Sequence, residues 1–501
     1  MKKISRNSSF IVTFSIVFIF MLIATKFFNN DAWFLAIFFY LSSGLVFFTY
    51  TISKKTPGKY LLPGVLLLSL FQIYPAFYSG LVAFTNDSNG HQLSKEQAIA
   101  AIIQDSKVPV DTSEPITYQT FKESDTGEIS IAFQYPKGVT WIGNSNYVKK
   151  IDVVGSISRL AGFELINSEQ SANYADALQN IKIDLDSGVT LEPLDFQTLE
   201  ASQPTFTLNA QTDELTNIQS GETYVPNDNG QMVSTSGEIL YPGWKVNVGW
   251  RNFTSIISDK EIRRPLLAVV VWTFTNAFLL VLVSFLMGLT LALIFNFPQL
   301  RSKKIYRTLF IIPMAIPSVL SVLVWSGLFT TETGVIDRMF HISTPWLTHP
   351  LWARVAVLIV ELWSTFPYMF LITTGAIQAI PADIIEAAEI DGASNLKSFR
   401  LIKLPLVVRT VSPLLVASVA MALNNFGAIY LLTGGGPTFS NSNGNAGATD
   451  ILISYTYKLA FNSQEGNNYG LASALSILNF ILVGAISIYG LRKMKTMEGI
   501  N

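Results

Sequence analysis

Residues 361–368 read ELWSTFPY, placing two aromatic rings, one carboxylate and two hydroxyls within two helical turns of an otherwise apolar stretch. Aromatic faces cover the C–H surface of a ligand while a few placed oxygens fix its hydroxyls, so the chemistry open to this set is reversible binding of a hydroxylated molecule such as a sugar. Trp363 and Tyr368 are the candidate platforms, and Glu361, Ser364 and Thr365 the candidate hydrogen-bonding groups. Packing against lipid is the alternative use of the two rings. An ionisable group inside an apolar run is costly and marks a functional candidate. Glu361 could accept hydrogens from ligand hydroxyls, or it could pair with Arg354, two turns earlier on roughly the same helix face. Pro367 is expected to break the helix and open backbone toward a cavity.

Covalent chemistry has little to work with. The three histidines, His91, His341 and His349, are scattered, there is no cysteine, and no metal-ligand or nucleophile–base spacing is present. The chain offers no GxxxxGKS or GxxxxGKT phosphate loop. An enzyme is therefore not expected, nor a cofactor in this chain, and any ATP with its magnesium would be handled by a partner.

The elements that must position these residues are membrane helices. Half of the 501 residues are hydrophobic and only 14% are charged, which excludes an ordinary soluble globule. Eight runs have roughly the 20 apolar residues that a bilayer span needs: 10–28, 32–52, 60–84, 265–296, 305–330, 351–379, 408–433 and 469–491. The first resembles a signal peptide, but the second follows at once with no small-residue cleavage site between them, so it is read as a helix.

Basic residues alternate from one connection to the next. Lys2, Lys3 and Arg6 precede the first span; Lys54, Lys55 and Lys59 follow the second; Arg301, Lys303, Lys304 and Arg307 follow the fourth; Lys397, Arg400 and Lys403 follow the sixth; Arg492, Lys493 and Lys495 follow the eighth. Cytoplasmic loops carry such an excess, so both termini are expected inside a bacterial inner membrane, together with the loop 381–405. Residues 85–264 and the loops around His341 and Gly444 are then expected outside. The net charge of −1 argues against nucleic acid as a partner.

Three organisational units follow: residues 1–84 with three spans, an inserted extracytoplasmic domain over 85–264, and a five-span core over 265–501 with an inner loop 381–405 and an outer loop 434–466. The insertion alternates polar and apolar residues in ITYQTF from Ile116 and EISIAFQ from Glu128, which predicts a mostly β domain. Ser94 and Gln97 form a capping-box pattern ahead of AIAAII, which predicts a helix near its start. Such an insert either meets a partner or acts as a spacer. The run 434–450, GGGPTFSNSNGNAGATD, is expected to be a mobile loop. No internal repeat is visible, which disfavours the inverted-repeat plan of many ion-coupled transporters; such a transporter, with Glu361 as its coupling carboxylate, is the alternative class.

The inner loop reads PADIIEAAEIDGASNLKSFRLIKLP. Pro381 suits a first helical turn, and Asp383 and Glu386 set negative charge at the positive end of a short helix. Gly392 permits a backbone turn, Ser394 can cap a second helix, and Pro405 is expected to stop it. Ala387, Ala388 and Ala393 keep the surface small, and Ile384, Ile385 and Ile390 are apolar anchors for another protein's groove.

Residues 386–405 resemble the EAA motif of ABC importer permeases in their Glu-Ala-Ala opening, Asp-Gly-Ala centre and closing Leu-Pro. FPYMFL at Phe366, NNF at Asn424, LLTGGGP at Leu431 and DILISYTYKLAF at Asp450 extend the resemblance, as do NIQSGETYVPN and PGWKVNVGWRNF in the insertion. The chain is similar to the permease subunits of maltose and maltodextrin importers. The resemblance implies an all-α polytopic fold with an inserted mostly β domain. It implies that Glu386, Ala387, Ala388, Asp391, Gly392 and Ala393 dock into a separate ATPase. It implies a MalG-like second permease, a MalK-like ATPase pair, a periplasmic sugar-binding protein and an oligosaccharide cargo. It also adds Ser418, Met421, Ala422 and Asn425 to Trp363 and Tyr368 in the sugar pocket. Glu361 departs from the family pattern, which has Asn there; Ser364, Thr365, Met421 and Ala422 depart from it too, so the pocket lining is altered.

Overall fold

The computed structural model describes residues 2–498 except 31, 54–55, 111–114, 137, 152–159, 161, 186–187, 297–301, 441, 443–444 and 463–465. Lys54, Lys55, Arg301 and Gly444 therefore lie outside the described residues, as do the side chains of Lys2, Lys3, Arg6 and Lys495. The chain divides into a helical unit, 1–84 with 250–501, and a second unit, Thr85–Gly249.

Among the described residues of the helical unit, seven helices are long and apolar enough to cross a membrane: Phe10–Asn29, Trp33–Ile52, Pro57–Val82, Lys260–Asn296, Pro350–Gln378, Asn395–Ala422 and Tyr469–Lys493. An eighth crossing exists if Lys303–Ala315 and Ser318–Leu328, which meet at 93°, count as one. The expected straight span 305–330 is thus bent. Pro317 forces the preceding Ile316 out of the helical region, to ψ 131°, and the chain turns there. Exposed Leu41, Tyr60 and Phe71 on the N-terminal helices are the apolar surface that a bilayer covers.

Proline has the opposite outcome at two other positions. The Pro350–Gln378 helix runs unbroken through Pro367, contrary to the break expected there. Phe366, Pro367 and Met369 are all buried, so neighbouring helices hold the turn that lost an amide hydrogen bond. Pro405 likewise does not stop the second segment of the inner loop. A widened turn over Phe399–Lys403, closed by the Leu404 N–H on the Phe399 carbonyl, spares the ladder from the missing proline amide. The helix therefore continues from Asn395 to Ala422, and the expected span 408–433 is instead this helix, a break, and a separate helix Phe426–Thr433.

The core of the helical unit joins Leu280, Phe285 and Leu289 to Met369, Phe370, Val407 and Leu423. Gly288 sits at a close crossing of two helices: a Cβ there would come within 2.6 Å of the Met369 carbonyl carbon and the Phe370 nitrogen. Residues 250–264, expected within the insertion, belong to this unit. They form the helix Arg251–Ser258 and the first turn of Lys260–Asn296. Ile256 packs with Ala83, Leu266 and Tyr455, and Asn252 Nδ2 donates to the Ala83 carbonyl at 2.8 Å.

The second unit is mostly β, as its alternating sequence predicts. A nine-stranded sheet is built around the strand Ile116–Glu123, and a five-stranded antiparallel meander runs from Phe206 to Leu240. Phe133, Ile131, Leu191 and Ile183 fill the core of the larger sheet. The helix Lys95–Asp105 carries the predicted capping box, with Ser94 Oγ accepting from the Gln97 N–H and Gln97 Oε1 accepting from the Ser94 N–H.

Candidate functional site

Glu361 is 1% exposed and is held by two carboxamides. Asn276 Nδ2 donates to its Oε2 at 2.8 Å and Asn425 Nδ2 donates to its Oε1 at 2.7 Å. Three segments meet at this carboxylate: the Lys260–Asn296 helix, the Pro350–Gln378 helix and the break between Ala422 and Phe426. A buried carboxylate needs such donors, because leaving it unpaired in apolar surroundings is prohibitive. Arg354 is engaged elsewhere. Its Nε donates to the Ala448 carbonyl at 2.8 Å, and its guanidinium lies 4.8 Å from the centre of the Trp272 ring.

The other candidates of the 361–368 run divide around the helix. A spacing of seven residues brings Glu361 and Tyr368 to one face, whereas Trp363 lies roughly 200° away from Glu361. Trp363 meets the edge of Trp325, with ring centres 5.9 Å apart. Tyr368 is partly buried against the main core. Ser364 Oγ donates back to the Val360 carbonyl at 3.0 Å, and Thr365 is half-buried. On the following helix Ser418 is buried and donates to the Leu414 carbonyl, Ala422 is buried, and Met421 is 75% exposed. Of the proposed pocket residues, then, Glu361 and Asn425 are joined directly, and Met421 points out of the described core.

In the inner loop, Pro381 precedes a helix Ala382–Ile390 with Asp383 in its first turn. Gly392 has φ +76°, the hinge conformation for which a residue without Cβ is suited, and the Ala393 N–H closes the turn on the Ala388 carbonyl at 2.9 Å. Ser394 Oγ then accepts from the Lys397 N–H, capping the second helix. Glu386, Ala387, Asp391 and Gly392 are exposed, Ala393 is half-buried and Ala388 is buried. Ile390 is 86% exposed and Ile384 42% exposed, while Ile385 is half-buried, so Ile390 is the expected anchor that stands most free of this chain.

Of the Gly-rich loop 434–450, expected to be mobile, the described residues at both ends are tied into the helical unit, while 441, 443 and 444 lie outside the described residues. Asp450, fully buried, lies 2.6 Å from Lys458 Nζ, and its carboxylate also accepts from the Gly447 N–H and the Ser454 hydroxyl. Thr449 Oγ1 donates to the Gly436 carbonyl and shares a hydrogen bond of 2.7 Å with Thr433. Gly435, at φ +80°, lies against this carboxylate where a Cβ would overlap it. Composition hid these ties. The signal for them was the spacing of Asp450, Ser454 and Lys458, four residues apart, with Asp450 just ahead of the helix Leu452–Phe461 that carries the other two. Asn276, eighty-five residues from Glu361 in sequence, carried no local signal.

Residues 284–494 match the family described as binding-protein-dependent transport system inner membrane component. Residues 66–146 match the N-terminal part of the membrane subunit of binding-protein-dependent ABC transporters. With the helical bundle and its hinged inner loop, these matches define a permease subunit of an ABC transporter, a multi-pass protein of the inner membrane. The chain is 33% identical to the maltose/maltodextrin transport system permease protein MalF of Vibrio cholerae, over 89% of this chain and 87% of that protein. For MalF of Escherichia coli strain K12 the identity is 33%, over 90% and 89%. For a Vibrio vulnificus relative it is 34%, over 89% and 87%. The chain belongs to the MalF family of permease proteins. Half of it is also similar to a chain of a bacterial ABC transporter involved in the import of the acidic polysaccharide alginate, at 24% identity over 84% of that chain and a TM-score of 0.43.

Proposed function

We propose that this permease carries maltose, maltodextrin or a related neutral oligosaccharide inward as one half of a translocation path. The similarity to MalF proteins along about nine-tenths of the chain carries the reading. A MalG-like second permease supplies the other half, and a MalK-like ATPase pair, holding ATP and magnesium, receives the loop 381–405. A periplasmic sugar-binding protein delivers the cargo. Both termini and the loop 381–405 face the cytoplasm, and residues 85–249 face the periplasm, following the alternation of basic connections.

In this mechanism the loaded binding protein docks outside and ATP draws the ATPase pair together. The inner loops then approach one another, and the cavity opens outward to take the sugar; hydrolysis resets it. Glu361, buried and held by Asn276 and Asn425, fixes Asn425 in place from behind the path, while Trp363, Tyr368, Ser364, Thr365, Ser418, Met421 and Asn425 line the path. Glu386, Ala387, Ala388, Asp391, Gly392 and Ala393 transmit the ATPase motion.

The test is reconstitution of the complete complex in liposomes with its binding protein and labelled maltotriose. ATP-dependent uptake is expected, and none from this chain alone. Accumulation by the solitary chain under an ion gradient, or transport of other solutes but no oligosaccharide, would overturn the proposal.

A further inference from the structure

The second unit contains a cleft of about 360 Å³ that the transport path does not use. It opens where the central strand Ile116–Glu123 changes partners. Ile116 and Thr117 pair with Leu199 and Thr198, whereas from Thr120 onward the strand pairs with Phe163–Ile166. The two partner strands diverge at residues 118–119, leaving a fork.

One wall of the fork is a preorganised turn. Asp195 Oδ1 accepts from the N–H groups of Gln197 and Thr198, both at 2.7 Å, and the Tyr118 hydroxyl donates to the Asp195 carbonyl at 2.8 Å. This fixes Phe196 and Gln197 at the mouth, with the Phe196 ring 42% exposed. Thr117, Gln119 and Asn167, all exposed, supply hydroxyl and carboxamide groups around the opening. Among the described residues, none that lines it is charged. The volume falls within the range of about 300–1,000 Å³ typical of ligand pockets.

An exposed aromatic face beside uncharged amides and hydroxyls is the chemistry that recognises a neutral glycan: the ring covers C–H faces and the amides satisfy hydroxyls without the desolvation cost of a charge. We propose that this cleft is an accessory binding site for a neutral oligosaccharide, with Phe196 as stacking platform and Gln119 and Gln197 as hydroxyl partners. The ligand class rests on the oligosaccharide reading given above; the site rests on the fork and its lining.

Hydrogen–deuterium exchange of the full chain in nanodiscs, with and without maltotriose, tests it peptide by peptide. Slowed exchange is expected in peptides covering 115–121 and 194–199. Phe196→Ala and Gln197→Ala should each raise the half-protecting concentration by about tenfold, with exchange in the rest of 85–249 unchanged. An acidic trisaccharide of equal length should protect weakly or not at all. The proposal is overturned by absence of protection up to about 10 mM maltotriose, by equal protection in both variants, or by equal protection from the acidic sugar. If maltotriose protects the cleft but is not imported by the reconstituted complex, the transport reading fails and the cleft stands. Import without this protection sinks the cleft alone.

Discussion

Asn425 reaches across 64 residues of sequence to donate its side-chain N–H to Glu361 at 2.7 Å, tying the break after one membrane helix to the middle of another. Because Asn276 holds the second carboxylate oxygen, the helix break cannot shift relative to either neighbour without giving up a buried hydrogen bond.

Glu361→Ala leaves both carboxamides without their acceptor. The expected cost is about 1–3 kcal/mol for each buried group left unpaired, read as a lower thermal midpoint of the detergent-solubilised chain. Glu361→Gln, which keeps one acceptor oxygen, should lie between Ala and the parent. Equal stability of all three would show that the clamp contributes nothing.

Trp363→Ala and Tyr368→Ala should both abolish sugar uptake while the ATPase still copurifies. Since the two rings point to different sides of one helix, their double variant should be no worse assembled than either single one. Undiminished uptake in both single variants would place the sugar elsewhere.

Gly392→Asp should leave the permease folded and inserted but detach or uncouple the ATPase, measured by copurification and by sugar-stimulated hydrolysis. There is open space around Gly392, so the obstacle to a side chain is its φ of +76°, a strain of about 1–2 kcal/mol for an L-residue. Gly392→Ala should accordingly be milder than Gly392→Asp, which adds charge to the docking face. Normal uptake by Gly392→Asp would count against the hinge.

Removing one partner of the Asp450–Lys458 pair strands a buried charge, at an expected cost of about 3–5 kcal/mol. Lys458→Met should loosen residues 434–450 and admit protease there, and Asp450→Asn combined with Lys458→Met should recover part of the loss. If Lys458→Met resists proteolysis as well as the parent, the pair does not hold the loop.

The parts of this molecule that were legible in its sequence are those decided within a few residues. The capping box at Ser94 and Gln97, the hinge at Gly392 and the Ser394 cap need only local backbone chemistry, and six of the eight expected spans need only composition. The three prolines show the limit. Pro317 turns its helix by 93°, while Pro367 and Pro405 are accommodated, one by surrounding helices and one by a widened turn. Residue type is the same in each case, and the packing that decides among them comes from distant segments. The Gly-rich run shows a related limit: its end is held by Asp450 and Lys458, whose pairing depends on burial that composition does not report.

The uninterrupted course from Asn395 to Ala422 has a mechanical meaning. Twenty-eight residues at about 1.5 Å each make a strut of roughly 40 Å, with its foot at the Gly392 pivot and its head three residues from Asn425. A displacement of that head bears directly on the hydrogen bond by which Asn425 grips the carboxylate of Glu361.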